Sequence, residues 1–111
     1  MASHKDFVNY VMEQLQDAGN LRAKPMFGEY GLYCDEIFFA VVCDDQLFLK
    51  VTEQGENTFP QIPKVPPYEG AKDYFLVEDV DNRDLVLSLT RITCQSLGTQ
   101  TSRKGKKSLI R

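Results

Sequence analysis

The amino-acid sequence predicts an α+β fold of two layers, in which an antiparallel sheet carries helices packed on one side. A chain of 111 residues has the length of one domain. Its composition, 42% hydrophobic and 26% charged, is typical of a globular protein and of neither a disordered nor a fibrous chain. The apolar pattern changes from helical to strand-like near Arg22 and returns to helical after Asp81.

The N-terminal segment is predicted to form the first helix. Ser3 and Asp6 resemble a capping box, in which a hydroxyl and a carboxylate satisfy the first free amides of a helix. Apolar residues then recur at helical spacing until Gly19-Asn20, a pair that favours a left-handed stop.

Three apolar runs follow, over residues 25–34, 37–43 and 47–51, with two short polar breaks between them. We expect the breaks, Asp35-Glu36 and Asp44-Asp45, to be two-residue hairpin turns. Such turns fix the register of the strands, because a slip of one residue would move every side chain to the other face. The expected pairs are Tyr33 with Phe38 and Val42 with Leu47.

This register predicts a central strand that is apolar on both faces. One face would carry Tyr33, Phe38, Ala40, Val42, Leu47, Leu49 and Val51. The other would carry Tyr30, Leu32, Ile37, Phe39, Val41 and Phe48. Since two helices cover one face only, we expect Tyr30, Leu32, Phe39 and Phe48 to form an exposed, protein-binding patch. The alternative is that a proline-rich loop folds over these side chains.

The second half of the chain predicts a short helical turn, a loop, a strand and a second long helix. Residues 52–57 can cap and begin the turn, and the four prolines of residues 59–70 exclude a regular helix or a central strand there. Residues 74–77 are typical of a strand. Asp81 with Asp84 would open the last helix, and Gly98 would end it.

Charge is distributed unevenly. Residues 1–98 hold eight basic and all sixteen acidic residues, a net charge of −8, whereas residues 99–111 carry +5. We therefore divide the chain into a domain over 1–98 and a basic, flexible tail over 99–111. An acidic domain disfavours direct DNA recognition. The tail predicts only weak nucleic-acid contacts, through Arg103, Lys104, Lys106 and Lys107.

The sequence contains few of the side chains that catalysis or metal binding requires at suitable spacing. The single histidine, His4, falls in the first turn of the first helix, where no nucleophile is fixed beside it. Cys34, Cys43 and Cys94 are widely spaced and favour reduced thiols over a zinc site. We expect no enzymatic activity, metal or cofactor. No apolar run is long enough for a membrane span or a signal peptide, so we expect a cytoplasmic protein.

The run from Arg22 to Tyr33 contains Met-Phe-Gly-Glu-Tyr-Gly-Leu-Tyr, which resembles the signature of the TfoX (Sxy) N-terminal domain family. In that family a Met-Phe-Gly-x-Tyr-Gly-Leu-Tyr run follows the first helix. Residues 38–40, 47–51 and 74–77 and the helix at Asp84 are similar to the later family elements. Glu36 and Asp45 depart from the pattern, since the family often has glycine at these turn positions.

The resemblance implies a non-enzymatic accessory domain of bacterial competence regulators, which promote transcription of DNA-uptake genes with the cyclic-AMP receptor protein. Regulators of that type also carry a C-terminal helical domain, so a stand-alone relative or a fragment is expected here. We predict a transcription-associated, protein-binding module whose partner is a transcription factor or a second copy of the chain. The alternative is a small-ligand domain with a pocket between the sheet and the loop from Pro60 to Pro67.

Overall fold

A computed structural model describes the backbone of residues 5–26 and 29–106, and the side chains of these ranges except residues 26 and 99–106. The helices are α1 (Lys5–Gln14), α2 (Glu53–Thr58) and α3 (Arg83–Lys106), with a short 3₁₀ helix at Gln16–Ala18. The strands are β1 (Leu21–Met26), β2 (Glu29–Cys34), β3 (Ile37–Cys43), β4 (Gln46–Lys50), β5 (Lys64–Val65) and β6 (Tyr74–Val77).

The six strands form one antiparallel sheet in the order β1-β2-β3-β4-β6-β5. Its only departure from sequence order is that β6 lies beside β4 and places β5 at the edge. Consecutive hairpins therefore build most of the sheet, as short polar breaks between strands predict. The expected α+β fold is confirmed.

The core lies between the helices and one face of the sheet, which we call the inner face. Val8 and Val11 of α1 and Val86 and Leu89 of α3 pack there in one cluster with sheet residues. The sheet contributes Leu32, Cys34, Phe39, Ala40, Val42, Leu47, Leu49, Phe75 and Val77. Most of these side chains are fully buried, so the cluster is the main source of hydrophobic stabilisation.

The two predicted hairpin turns are confirmed, together with the pairs Tyr33 with Phe38 and Val42 with Leu47. All four turn residues have left-handed backbone conformations, with φ of 51° and 68° in the first turn and 56° and 58° in the second. Left-handed φ at both positions is the requirement of the type I′ turn, which matches the twist of the strands. The sequence meets it with aspartate and glutamate, where asparagine and glycine are the usual choice.

The apolar run over residues 25–34 is not one strand. The structure divides this region between β1 and β2, which pair from Leu21 with Cys34 to Met26 with Glu29. Residues 27 and 28, between them, lie outside the described residues. Pro25 is accommodated because β1 is an edge strand, where a missing backbone donor does no damage to the sheet interior.

A β-bulge changes which side chains share a face. The β2–β3 register shifts between Leu32, which pairs with Ala40, and Tyr33, which pairs with Phe38. Phe39 falls in the gap between these pairs, and both Phe39 and Ala40 belong to the core. The face assignment made from strict alternation therefore holds for Ala40, Val42, Leu47 and Leu49. It is wrong on the other side of the bulge, because an extra residue in one strand reverses the alternation beyond it.

The last helix differs from its prediction at both ends. Asn82, not Asp81, caps α3, since its Oδ1 accepts a hydrogen bond from the Leu85 amide at 3.2 Å. The helix continues through Gly98 to Lys106, so the prediction that Gly98 ends it is wrong. A Cβ on Gly98 would lie 3.2 Å from Cδ1 of Ile37, which indicates a close-packing glycine and not a stop.

The backbone of residues 99–106 is helical, in contrast to the irregular arm expected there. The predicted tail residues Arg103, Lys104 and Lys106 have side chains outside the described residues, and Lys107 lies outside them entirely. The division of the chain at residue 98 stays a prediction. Within 5–26 and 29–106, no helix combines the length and apolarity that crossing a membrane requires.

Candidate functional site

The predicted patch of Tyr30, Leu32, Phe39 and Phe48 does not exist as an exposed surface. Leu32 and Phe39 are 0% exposed inside the core, and Tyr30 packs against the same cluster from the inner face. Phe48 is 3% exposed and stands apart from that cluster. The bulge in β3 and the helices on the inner face explain the error, because they bury the side chains that strict alternation places on the far side.

The opposite side of the sheet, the outer face, carries a second and smaller apolar set. Val41 of β3 pairs with Phe48 of β4, and each is 3% exposed. Neither belongs to the cluster beneath the helices. The prediction that the central strand is apolar on both faces is therefore confirmed. We expected one of these faces to be exposed to solvent. This expectation is wrong at the centre of the outer face, where Val41 and Phe48 are buried.

Cations and aromatic rings form a row across this outer face. Arg22 of β1 places its guanidinium carbon 4.6 Å from the ring centroid of Tyr33. The Tyr33 ring lies 5.4 Å from the ring of Phe38, at 46° between planes. The ammonium of Lys50 on β4 lies 4.7 Å from the centroid of Phe38. These four residues, which we call the outer row, cross four adjacent strands and are joined by two cation–π contacts and one contact between rings.

The two ends of the outer row have different electrostatic surroundings. Arg22 forms an ion pair of 2.8 Å with Glu36, and this hydrogen bond raises the pKa of the guanidinium. Burial, and then the charge of Lys72, lower the pKa of Lys50. Within the described ranges no carboxylate forms an ion pair with Lys50. Glu36 therefore neutralises the Arg22 end of the row, whereas no carboxylate of the described residues pairs with the Lys50 end.

Cys34 and Cys94 form a pair of thiols that the sequence analysis missed. The two thiols lie close enough to affect each other's pKa, and the Cys34 thiol donates a hydrogen bond to the carbonyl oxygen of Ala18 at 3.6 Å. Burial is the main cause that raises the pKa of both thiols. Protonated thiols are poor nucleophiles and poor metal ligands, so this arrangement favours a structural role.

The described residues form clefts at the rim of the sheet, and two of these bear on ligand binding. One of about 410 Å³ lies between α1 and the sheet, and Phe7, Tyr10 and three carboxylates line it. The other, of about 180 Å³, lies beside the proline-rich loop, at Ile62 and Pro63. This loop cleft is where the alternative ligand pocket was expected, but pockets for small molecules usually reach roughly 300 Å³ or more.

The proline-rich loop joins the sheet edge. Its residues Lys64 and Val65 form β5 beside β6, and Ile62 belongs to the inner cluster. Histidine, cysteine and carboxylate side chains do not gather in groups of three suited to a metal ion anywhere in the part of the chain that the structure describes. His4 lies outside that part.

The sheet, its register and its helical layer define a small two-layer α+β domain. Residues 13–96 match the TfoX N-terminal domain family. A protein of Spirochaeta aurantia, described as an uncharacterized 12.7 kDa protein in the trpE 5′ region, is 35% identical over 107 residues, which cover 96% of this chain and 93% of that protein. The chain belongs to the TfoX N-terminal domain family, as the residues around Tyr30 predict.

Proposed function

We propose that this chain is a non-enzymatic accessory domain of bacterial gene regulation, which acts by contacting another protein in the cytoplasm. Membership of the TfoX N-terminal domain family over residues 13–96 carries the proposal. Competence regulators of this family type act on transcription together with the cyclic-AMP receptor protein. A transcription factor is therefore the partner class that we favour, and a second copy of the chain is the other candidate.

The outer row supports a binding role. Arg22 is exposed and the Tyr33 and Phe38 rings are half-buried, so part of each side chain is available to a partner. Arginine and aromatic side chains are enriched in protein interfaces, where they supply large contact areas with little loss of conformational freedom. The loop cleft of about 180 Å³ is small for a metabolite, which is why we do not favour the ligand-binding alternative.

The proposal is tested in a host strain that lacks this gene. We expect transcript levels of a defined gene set to change, and to return when the wild-type chain is expressed from a plasmid. In parallel, sedimentation velocity of the purified chain with the purified cyclic-AMP receptor protein of the same host should show a complex. Unchanged transcripts together with independent sedimentation of the two proteins would contradict the proposed function.

A further inference from the structure

The outer row is a local concentration of positive charge on a negatively charged domain. Arg22 and Lys50 stand at its two ends, and the β1–β2 register places Lys24 on the same face as Arg22. Lys72 is close enough to Lys50 to affect it electrostatically. These four residues are half of the eight cations within residues 1–98, a range with a net charge of −8. Half of the cations of residues 1–98 therefore lie in or beside the outer row.

We propose that the outer row binds an extended acidic segment of a partner protein. Two carboxylates of that segment contact Arg22 and Lys50, and an apolar side chain between them packs on the rings of Tyr33 and Phe38. This inference rests on the proposed function in one respect, that the partner is a protein, and it adds the chemistry of the partner.

The spacing of the two cations fits such a segment. Arg22 lies on β1 and Lys50 on β4, three strand intervals apart in the sheet. At about 4.8 Å per interval, the separation is roughly 14 Å. An extended chain rises about 3.3 Å per residue, so two side chains four residues apart lie roughly 13 Å from each other on the same side. The residue midway between them also faces that side, over the two rings.

Lys50 is the end of the row that most needs a partner. Its ammonium is half-buried against Phe38 and has no ion pair among the described residues, while Lys72 adds a second positive charge. A half-buried charge without an opposite charge destabilises the folded state, which is consistent with the lowered pKa of Lys50. A carboxylate brought by a partner would remove this penalty.

Arg22 already shows what the partner would supply. The Glu36 carboxylate contacts its guanidinium at 2.8 Å, and the two side chains are 48% and 69% exposed. An ion pair this exposed contributes little stability, so another carboxylate can replace Glu36. Glu36 therefore competes with the acidic segment for the Arg22 guanidinium, and removing its charge should make the segment bind more tightly.

The same surface fits a protein better than a nucleic acid. Neutralising the phosphates of even a short single strand takes several cations in a continuous path. Here all sixteen acidic residues of the chain lie within residues 1–98, and the β2 register places Glu29 on the same face as Tyr33. These carboxylates would repel a long phosphate backbone, whereas a peptide with two carboxylates avoids them.

The test uses the full chain and a fluorescein-labelled peptide with two glutamates four residues apart and a leucine midway. Fluorescence anisotropy should show saturable binding that weakens with salt, and a peptide with glutamines in place of glutamates should bind at least about fivefold more weakly. Lys50→Met should weaken binding about fivefold, and Glu36→Gln should strengthen it about threefold. Circular dichroism checks that each variant is folded.

Two matched variants control for net charge. Lys5→Met and Glu13→Gln make the same changes on exposed positions of α1, which packs on the inner face. Both should bind within about twofold of wild type. Equal effects at Lys5 and Lys50 would overturn the proposal, because they would indicate long-range attraction without a site. Equal binding of the glutamine peptide would overturn it as well.

Two other occupants are distinguished with the same variant, Lys50→Met. Tighter binding of a single-stranded oligothymidylate, lost in Lys50→Met, would assign the row to nucleic acid and overturn the proposal. A wild-type dimer that Lys50→Met dissociates in sedimentation velocity would assign it to a second copy, with the same consequence. If neither the glutamate peptide nor the glutamine peptide binds, but the chain still sediments with the cyclic-AMP receptor protein, this inference fails and the proposed function stands.

Discussion

Two buried threonines on α3 allow a sharp test of how this core is stabilised. Thr90 and Thr93 are 0% exposed, and neither hydroxyl has a hydrogen-bond partner among the described residues. Thr52 is also buried, at 8% exposure, but its hydroxyl accepts a hydrogen bond of 3.0 Å from the Gly55 amide and caps α2. The same substitution, threonine to valine, therefore removes an unpaired hydroxyl at two sites and a paired one at the third.

The expected effects have opposite signs. A buried hydroxyl without a partner costs about 1–3 kcal/mol, and valine has nearly the same shape and helix propensity as threonine. Some of that gain is lost in fitting a methyl group where the oxygen lies, so we expect Thr90→Val and Thr93→Val each to add about 1 kcal/mol. Thr52→Val should subtract about 1 kcal/mol, because it removes an N-cap.

Urea unfolding followed by circular dichroism measures both changes in the free energy of unfolding. In a thermal melt, 1 kcal/mol corresponds to a shift in Tm of about 4 °C for a domain of this size. The double variant should gain less than the sum of the single gains, since the two sites lie one helical turn apart. If Thr90→Val and Thr93→Val destabilise the protein as Thr52→Val does, the hydroxyls are hydrogen-bonded and the reasoning is refuted.

Three further predictions concern single residues. Glu36→Gly should raise the free energy of unfolding by about 0.5–1 kcal/mol, because it relieves a φ of 68° and loses only an exposed ion pair; urea unfolding that shows a loss would contradict it. Gly55→Ala should lower the Tm in a thermal melt, because the new Cβ would lie 3.0 Å from Cε2 of Phe75. This repulsive contact outweighs the roughly 1 kcal/mol that alanine gains in helix propensity, and an unchanged or higher Tm would count against the close approach. Burial raises the pKa of the Cys94 thiol above its ordinary value of 9.0, so above about pH 9 the folded state keeps a proton that the unfolded state loses, and the free energy of unfolding falls as the pH rises. This fall should be less steep in Cys94→Ala, and identical slopes in the two proteins would disprove the linkage.

The parts of the fold that depend on neighbouring residues could be predicted from the sequence. A two-residue turn between two apolar runs determines its own pairs, so Tyr33 with Phe38 and Val42 with Leu47 required only local reasoning. The strand at residues 74–77 and the capped turn at Thr52 are of the same kind. In each case the signal and the structure lie within a few residues of each other.

The errors have a common physical origin, which is packing between distant parts of the chain. Phe39 is buried because of a bulge that no alternation pattern shows, and Gly98 lies inside α3 at a point where a Cβ would come within 3.2 Å of Ile37. Cys34 and Cys94 lie sixty residues apart in the sequence, so spacing alone could not bring their thiols together. Local propensity loses to tertiary contacts at all of these positions.

For the same reason, the sequence predicts the two rings of the candidate site but not its two cations. The hairpin turn places Tyr33 beside Phe38, but Arg22 and Lys50 reach these rings only because β1 and β4 flank that hairpin in the sheet order. The missing step was the separation of residues 25–34 into two strands, which makes Arg22 a sheet residue.

The burial of Val41 and Phe48 changes the kind of interface that this domain can form. Both faces of β3 are covered within the chain itself, so a partner gains little free energy by burying apolar surface at the sheet centre. Binding at the outer row would instead depend on cations and on the half-buried rings of Tyr33 and Phe38. Charge-dependent contacts of this type associate rapidly, weaken with salt and dissociate readily. For the accessory domain that we propose, such a surface would favour a reversible contact, which an exposed apolar patch would not.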